Sequence, residues 1–142
     1  MIREWLFLEK LSQHADVGLL IMRVLTGAFL VYGVVDNVVS AEQMANFAAF
    51  LEANGFALPG VMAPLSVYFQ LLAGLALIVG LLTRWTGILI AIHFMIAVVM
   101  VHWTQDFRGW WPAIVLVGIG LQFAFTGAGR FSLDARVTRK KN

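Results

Sequence analysis

Residues 61–82 read VMAPLSVYFQLLAGLALIVGLL and contain no charged side chain. About 20 mostly apolar residues in a helix are enough to cross a hydrocarbon core of roughly 30 Å, because each residue adds about 1.5 Å. The stretch therefore predicts a membrane-spanning helix. The whole chain of 142 residues is 61% hydrophobic and only 13% charged. We expect lipid rather than water to cover most of its surface.

Three further stretches are apolar enough to cross a bilayer. Residues 17–39 are interrupted by Arg23 and Asp36, residues 85–103 contain two histidines, and residues 110–126 are uncharged but short. The last stretch reaches only about 25 Å as a helix, so we expect its ends to extend into flanking residues. The chain is predicted to be all-α, a polytopic membrane four-helix bundle forming a single domain over residues 1–142.

Tryptophan and basic residues mark the span ends and the orientation. Trp85, Trp103, Trp110 and Trp111 fall at predicted span ends, as expected of side chains at the membrane interface. After four crossings one side carries Arg3, Lys10, Arg84, Arg130, Arg136, Arg139, Lys140 and Lys141, and the other carries only Arg108. Because basic loops stay in the cytoplasm, both termini are predicted to be cytoplasmic.

The two ends of the chain are predicted to lie on the membrane surface. In residues 1–16, Trp5, Leu8 and Leu11 recur at helical spacing, which is typical of an interfacial segment. No apolar run there is long enough for a signal-peptide core, so we expect the segment to be retained. Residues 127–142 form a basic tail that attracts anionic lipids. The candidate headgroup contacts are Arg130, Arg136, Arg139, Lys140 and Lys141.

The outer segment 40–60, SAEQMANFAAFLEANGFALPG, has its own pattern. Apolar residues recur at i, i+3, i+4 and i+7, opposite a polar set. This pattern predicts an amphipathic helix in the outer interface, although a partner-binding helix has the same pattern. Asn54 and Gly55 are expected to end it. The apolar set is Met44, Phe47, Ala48 and Leu51, and the polar set is Glu42, Gln43, Asn46 and Glu52.

Polar side chains within the spans are candidate ligand contacts, because burying them in lipid is unfavourable. At about 1.5 Å per residue, Arg23, His93 and Gln122 share a depth near the cytoplasmic side and are predicted to be able to form an inner polar cluster. Near the opposite side, an outer polar cluster is predicted from Asp36, Asn37, Tyr68 and His102, with Tyr32 one turn from Asp36. The ligand candidates are Arg23, Asp36, Tyr68, Gln70, His93 and His102.

The two histidines of the third span do not predict a metal site. Nine residues of α-helix place His93 and His102 on opposite faces, about 13 Å apart along the axis. We therefore expect no metal ligation, and for His93 a neutral imidazole hydrogen-bonded within the bundle. His102 beside Asp36 suggests either proton transfer at the membrane surface or a plain interfacial hydrogen bond.

Arg23 and the small residues have packing interpretations. The Arg23 stem can extend to the cytoplasmic interface or form a structural pair, and the alternative is a contact with an anionic headgroup or a ligand carbonyl. Small residues spaced by four permit close helix contact. Within the predicted spans, such pairs occur at Ala76/Gly80, Gly87/Ala91 and Gly120/Ala124.

Residues 127–134, GAGRFSLD, contain two glycines in a pattern that suggests a phosphate-binding loop. A dinucleotide loop requires GxGxxG after a strand, whereas Ser132 occupies the third position and a membrane span precedes it. We expect no nucleotide and no nucleic-acid partner. Gly127 and Gly129 instead predict a sharp turn at the membrane exit, with Ser132 or Asp134 capping a short surface helix.

Several of these stretches together resemble the DoxX family of small four-helix bacterial membrane proteins. They are LLIMRVLTGAFLVYG, NGFALPG, QLLAGLALIVGLLTR, the histidine of MVHW and GAGRFSLD, and the resemblance covers residues 17–134. It implies a multi-pass protein of the bacterial inner membrane with links to quinone-dependent redox systems. Members include a membrane subunit of thiosulfate:quinone oxidoreductase and proteins associated with oxidative stress.

The resemblance has two departures. Relatives commonly carry a lysine near the end of span one, where this chain has VYGVVDNV, and a glutamate in span two, where it has Gln70. Charge or proton chemistry supplied by that lysine and glutamate is not supplied by Asp36 and Gln70. The positions that match the family are Arg23, His102, Arg130, Ser132 and Asp134.

Three functions follow as hypotheses. The first is an accessory subunit of a quinone-linked or other redox membrane complex, not an enzyme on its own. The second is a purely structural or assembly subunit, and the third a binder or transporter of a lipid or small hydrophobic molecule. With no cysteine in the chain, thiolate-bound redox centres are excluded. We expect no intrinsic cofactor, a bound quinone or lipid as ligand, and other membrane subunits or further copies of the chain as partners.

Overall fold

The computed structural model describes residues 6–139, and every regular element in that range is a helix. The predictions for Arg3, Trp5, Lys140 and Lys141 lie outside the described residues. The helices are α1 (Glu9–Ser12), α2 (Ala15–Val39), α3 (Ala41–Ala53), α4 (Pro59–Val79), α5 (Thr83–Ala97, continued by a π-helical turn, Val98–His102), α6 (Phe107–Thr126) and α7 (Leu133–Arg139).

Four of these helices are long and apolar enough to cross a membrane: α2, α4, α5 with its π-helical turn, and α6. The α6 helix begins at Phe107, because the Asp106 side chain caps it by accepting a hydrogen bond of 3.0 Å from the Gly109 amide. This extension gives the fourth span 20 residues, enough to cross the bilayer.

The spans associate mainly as two pairs, α2 with α4 and α5 with α6. In the first pair, a Cβ atom built on Gly27 lies 2.5 Å from the Gly74 carbonyl oxygen. In the second, a Cβ atom on Gly87 lies 2.5 Å from the Gly120 carbonyl oxygen. Only glycine permits backbones to approach this closely, so each pair crosses at two facing glycines.

The predicted small-residue contacts are confirmed in the second pair. A Cβ on Gly120 lies 2.9 Å from the Ala91 amide, and one on Gly87 lies 2.9 Å from the Ala124 amide. Gly80 has a different role, because it ends α4 with a φ of 71°, a conformation that favours glycine.

Buried side chains fill the space between the helices, while large apolar side chains cover the outside. Leu30, Leu77, Ile90 and Phe123 form the centre of the core. Large apolar residues such as Phe125 are exposed along the spans. Such a surface is stable in lipid, which solvates apolar side chains, and it agrees with contact between these helices and a bilayer.

Candidate ligand-binding site

A cavity of about 490 Å³ lies between α4 and α5 and is bounded by α3. Its wall is mainly aliphatic and aromatic, with Phe47, Phe50 and Leu51 contributed by α3. Four side chains bring polar atoms to it: Ser66, Gln70, His93 and His102. A large apolar cavity with a few polar groups is the usual form of a small-molecule site.

Three of the polar side chains are joined in a short hydrogen-bonded chain. Gln70 Nε2 donates to Ser66 Oγ at 3.3 Å, and Ser66 Oγ lies 3.4 Å from His93 Nε2. Ser66 and Gln70 are one helical turn apart on α4, so both face α5. The predicted hydrogen bond of His93 within the bundle is therefore present, with Ser66 as its partner.

Aromatic rings surround the imidazole of His93. The Phe69 ring lies 4.8 Å from it, tilted by 36°, and the Phe94 ring lies 5.0 Å from it in an edge arrangement. These rings fix the plane of the imidazole and exclude water from much of its surface. His93 thus presents a polar edge within an otherwise apolar wall.

The prediction that His93 and His102 lie on opposite faces is wrong, since both line the same cavity. The reason is the π-helical turn at Val98–His102, which has more residues per turn than an α-helix and rotates His102 back toward the His93 side. His102 Nδ1 hydrogen-bonds Gln105 Oε1 at 2.8 Å. Within residues 6–139, no group of three His, Asp or Glu side chains is placed to hold a metal ion.

The inner polar cluster does not form. In the described part of the chain no hydrogen bond joins Arg23, His93 and Gln122; the Gln122 side chain is exposed, and His93 is bonded to Ser66. These residues belong to three helices, of which only α5 and α6 pack closely together. Gln122 lies on the exposed face of α6, which does not contact the other described helices.

Arg23 is fully buried, and its guanidinium reaches the backbone of the segment that follows α6. The extension of its stem to the cytoplasmic interface stays a prediction. Arg23 Nη1 donates to the Ala128 carbonyl at 2.9 Å and its Nη2 to the Phe131 carbonyl at 2.8 Å, whereas Nε is buried without a partner. The guanidinium thus holds the segment that follows α6 against α2. Arg23 lies outside the cavity wall, and its hydrogen bonds join α2 to the segment that follows α6.

The outer polar cluster does not form either. Asp36 is exposed, and over residues 6–139 no hydrogen bond or ion pair joins it to His102. Asn37 Nδ2 instead donates to the Gln43 carbonyl at 3.0 Å. Helix pairing separates Asp36 from His102, because α2 packs on α4 while α5 packs on α6. Tyr32 and Tyr68 are exposed and, like Asp36, lie outside the cavity wall.

The GAGRFSLD segment forms the predicted sharp turn. Gly127 and Gly129 have φ angles of 75° and 73°, and Ser132 Oγ accepts a hydrogen bond of 3.1 Å from the Ala135 amide at the start of α7. Asp134 does not cap α7. Its carboxylate instead accepts hydrogen bonds of 2.7 and 2.9 Å from the Leu82 and Thr83 amides, and so caps α5.

Among the described residues, three of those predicted to contact headgroups, Arg130, Arg136 and Arg139, are exposed at this end of the molecule. Arg130 lies over the Phe131 ring at 4.8 Å and pairs with Asp16, with 3.5 Å between Nε and Oδ2. Arg136 and Arg139 are exposed on α7. Their contact with lipid headgroups stays a prediction.

The sequence identified some site residues and missed others. Gln70, His93 and His102 were found because they are polar within apolar spans. Ser66 was missed, although its position four residues before Gln70 places it on the same helix face. Phe69, Phe94 and the aromatic residues of α3 carry no signal of this kind, since aromatic residues are ordinary in membrane spans.

These features define a class: a small integral membrane protein with four spans, two glycine-crossed helix pairs and an apolar cavity between α4 and α5. The DoxX family profile matches residues 18–103, and the chain belongs to that family. The matched residues end before GAGRFSLD, so the resemblance of that segment stays a prediction.

One similar protein is the inner membrane protein YqjF of Escherichia coli (strain K12). It is 26% identical, and the alignment covers 88% of this chain and 95% of the relative. No solved structure matches the chain. The inner-membrane relative and the four apolar helices agree on a multi-pass protein of the inner membrane.

Proposed function

We propose that this protein is a small accessory subunit of a quinone-linked or other redox membrane complex, and that it holds a quinone-type lipophile in the cavity between α4 and α5. The observation that carries the proposal is the Gln70–Ser66–His93 chain, which places hydrogen-bonding atoms inside an apolar, aromatic cavity. A quinone combines a flat ring, polar oxygens at its edge and an apolar tail. In the cavity, aromatic side chains can pack on the ring, the Gln70–Ser66–His93 chain can pair with the oxygens, and aliphatic side chains can contact the tail.

The size and position of the cavity support this ligand class. Its volume of about 490 Å³ lies within the range of roughly 300–1,000 Å³ that is common for small-molecule sites. Leu65, Ile92 and Ile96 line it and are about half exposed on the lipid-facing surface. A lipophile dissolved in the bilayer therefore has access to the cavity without passing through water.

An accessory role fits the residues available. The chain contains no cysteine for a thiolate-bound redox centre, so a bound quinone would exchange electrons with a centre on a partner subunit. The alternative is a structural subunit without a ligand, in which the same polar residues only fix helix packing. Ligand binding by the purified protein separates the two.

Replacing His93 by Phe tests the ligand site. Phe keeps the aromatic volume but removes the imidazole nitrogens, so the affinity for decylubiquinone, a short-tailed quinone, is expected to fall about tenfold through loss of one hydrogen bond. Quenching of tryptophan fluorescence in mild detergent measures the affinity. His14→Phe is the matched control, since His14 is exposed and lies outside the cavity. Equal affinities in wild type and His93→Phe would contradict the site.

We further propose that both termini are cytoplasmic, that α3 lies in the outer interface and that the basic tail contacts anionic headgroups. The excess of basic residues at the end of the molecule that carries α7 supports this orientation. The pattern of α3 supports its placement, because Leu51 is buried while Glu42 and Glu52 are exposed.

Single cysteines in this cysteine-free chain test the orientation. In intact cells, a membrane-impermeant maleimide is expected to label Glu52→Cys on α3 and to leave Arg136→Cys on α7 unlabelled until the cells are permeabilised. The reverse pattern would show that the protein is inserted the other way round.

A further inference from the structure

The hydrogen-bonding atoms of the Gln70–Ser66–His93 chain are only partly used. His93 Nδ1 and Gln70 Oε1 have no hydrogen-bond partner among the described residues. Neither atom is fully buried. Both side chains line the cavity. The two ends of this hydrogen-bonded chain therefore carry unpaired polar atoms that are not fully buried, on side chains that line the cavity.

The direction of the hydrogen bonds between Gln70, Ser66 and His93 determines whether His93 Nδ1 donates to a ligand or accepts from it. A neutral imidazole has one nitrogen that donates and one that accepts, and a hydroxyl both donates and accepts. If the Gln70 amide donates to Ser66 and the Ser66 hydroxyl donates to His93 Nε2, then Nδ1 carries the proton and donates. If His93 Nε2 donates to Ser66 and Ser66 donates to Gln70 Oε1 after an amide rotation, then Nδ1 accepts.

Each direction is the best match for one oxidation state of a quinone-type ring. A quinone carbonyl only accepts and requires the donating Nδ1. A quinol hydroxyl can also accept, but it pairs best with the accepting Nδ1, because a phenolic hydroxyl donates more strongly than it accepts. A glutamine and a serine both permit reversal, because each has a donor and an acceptor. An ionised carboxylate at position 70 accepts only, and would hold the chain in the second direction.

We propose that Gln70, Ser66 and His93 form a reversible hydrogen-bond relay that lets the cavity bind both the oxidised and the reduced form of the same ring. This inference rests on the proposed function and adds to it the ligand states that the site recognises. His93 is the residue that contacts the ligand, and Ser66 and Gln70 are positioning residues that act through it. The relay concerns binding only and moves no electrons.

The test compares the affinities of the full chain for decylubiquinone and decylubiquinol, measured anaerobically by tryptophan quenching. In wild type the two dissociation constants are expected to agree within about fivefold. Gln70→Glu is expected to shift their ratio about tenfold toward the quinol, since one neutral hydrogen bond is lost or gained. Gln70→Lys, which only donates, is expected to shift the ratio toward the quinone.

The double variant His93→Phe/Gln70→Glu separates the relay from direct contact between residue 70 and the ligand. The shift caused by Gln70→Glu should vanish in the His93→Phe background if it acts through the imidazole. A shift that persists there, an unchanged ratio in Gln70→Glu, or a wild-type preference above about 50-fold for one form would overturn the relay and leave the proposed function standing. Failure of wild type to bind either form would overturn the proposed function itself.

Discussion

Replacing Gly27 by Ala is expected to destabilise the protein by about 2 kcal/mol or more, because the added methyl group is forced against the backbone of the facing helix. The new Cβ lies 2.5 Å from the Gly74 carbonyl oxygen and 2.7 Å from Ile78 Cγ1. A backbone carbonyl cannot move aside without separating α2 from α4 along their length. The midpoint of thermal unfolding in mild detergent measures the loss.

The same chain provides a matched control for this substitution. Gly33 lies in the same helix, and no atom outside its local backbone lies within 4 Å of a Cβ built there. Gly33→Ala is therefore expected to be neutral or slightly stabilising, since alanine favours helix more than glycine does. Gly87→Ala and Gly118→Ala form the corresponding pair for α5 and α6. Equal effects of Gly27→Ala and Gly33→Ala would show that α2 and α4 do not cross at these glycines.

Replacing Arg23 by Met is expected to release the segment that follows α6 from α2. The Ala128 and Phe131 carbonyls lose their charged donors, and hydrogen bonds to charged groups contribute roughly 1.5–3 kcal/mol each. A net loss of about 3 kcal/mol corresponds to about a 100-fold increase in local opening. Maleimide labelling of Ala128→Cys measures it, because Ala128 is buried and the chain has no other cysteine.

Arg84→Met is the comparison that isolates the effect of burial. Arg84 also donates to two carbonyls, those of Ala124 and Phe125, but its side chain is exposed. Water can replace an exposed donor, so labelling of Ala128→Cys is expected to rise less than tenfold in Arg84→Met. Arg23→Lys should fall between the two, because an ammonium does not reproduce the fork of a guanidinium. Equal labelling in wild type and Arg23→Met would contradict the structural role of Arg23.

The spans were predictable from the sequence, whereas the pairing of the helices was not. Length and hydropathy determine where a chain crosses a bilayer, and the four helices fall within a few residues of the predicted stretches. Pairing depends on which face of each helix turns inward. In soluble proteins an apolar stripe reveals that face, but membrane helices are apolar on all sides. Gly27 and Gly74, which hold the first pair together, were therefore not recognised.

Some polar residues of the candidate site could be predicted individually, but not which of them come together. The rise per residue predicts depth, which is why Gln70 and His93 were identified as intramembrane polar residues. It predicts neither which helices are neighbours nor which face of each helix turns inward, and both predicted polar clusters failed for these two reasons. The π-helical turn at Val98–His102 has no signature in the sequence, yet it brings His102 to the cavity. Asp134 caps α5 from about 50 positions away, a contact that only the folded chain reveals.

Photoaffinity mapping with an azido-benzoquinone that carries a decyl tail tests the central claim, that the cavity between α4 and α5 binds a quinone-type lipophile. The protein is labelled in mild detergent, with and without excess decylubiquinone, and the modified peptides are identified by mass spectrometry. We predict competable adducts on α4 within residues 62–70 and on α5 within residues 89–102, with further adducts near Phe47 and Phe50. Competable labelling confined to α2 or α6, or labelling that excess decylubiquinone does not reduce, would contradict the claim.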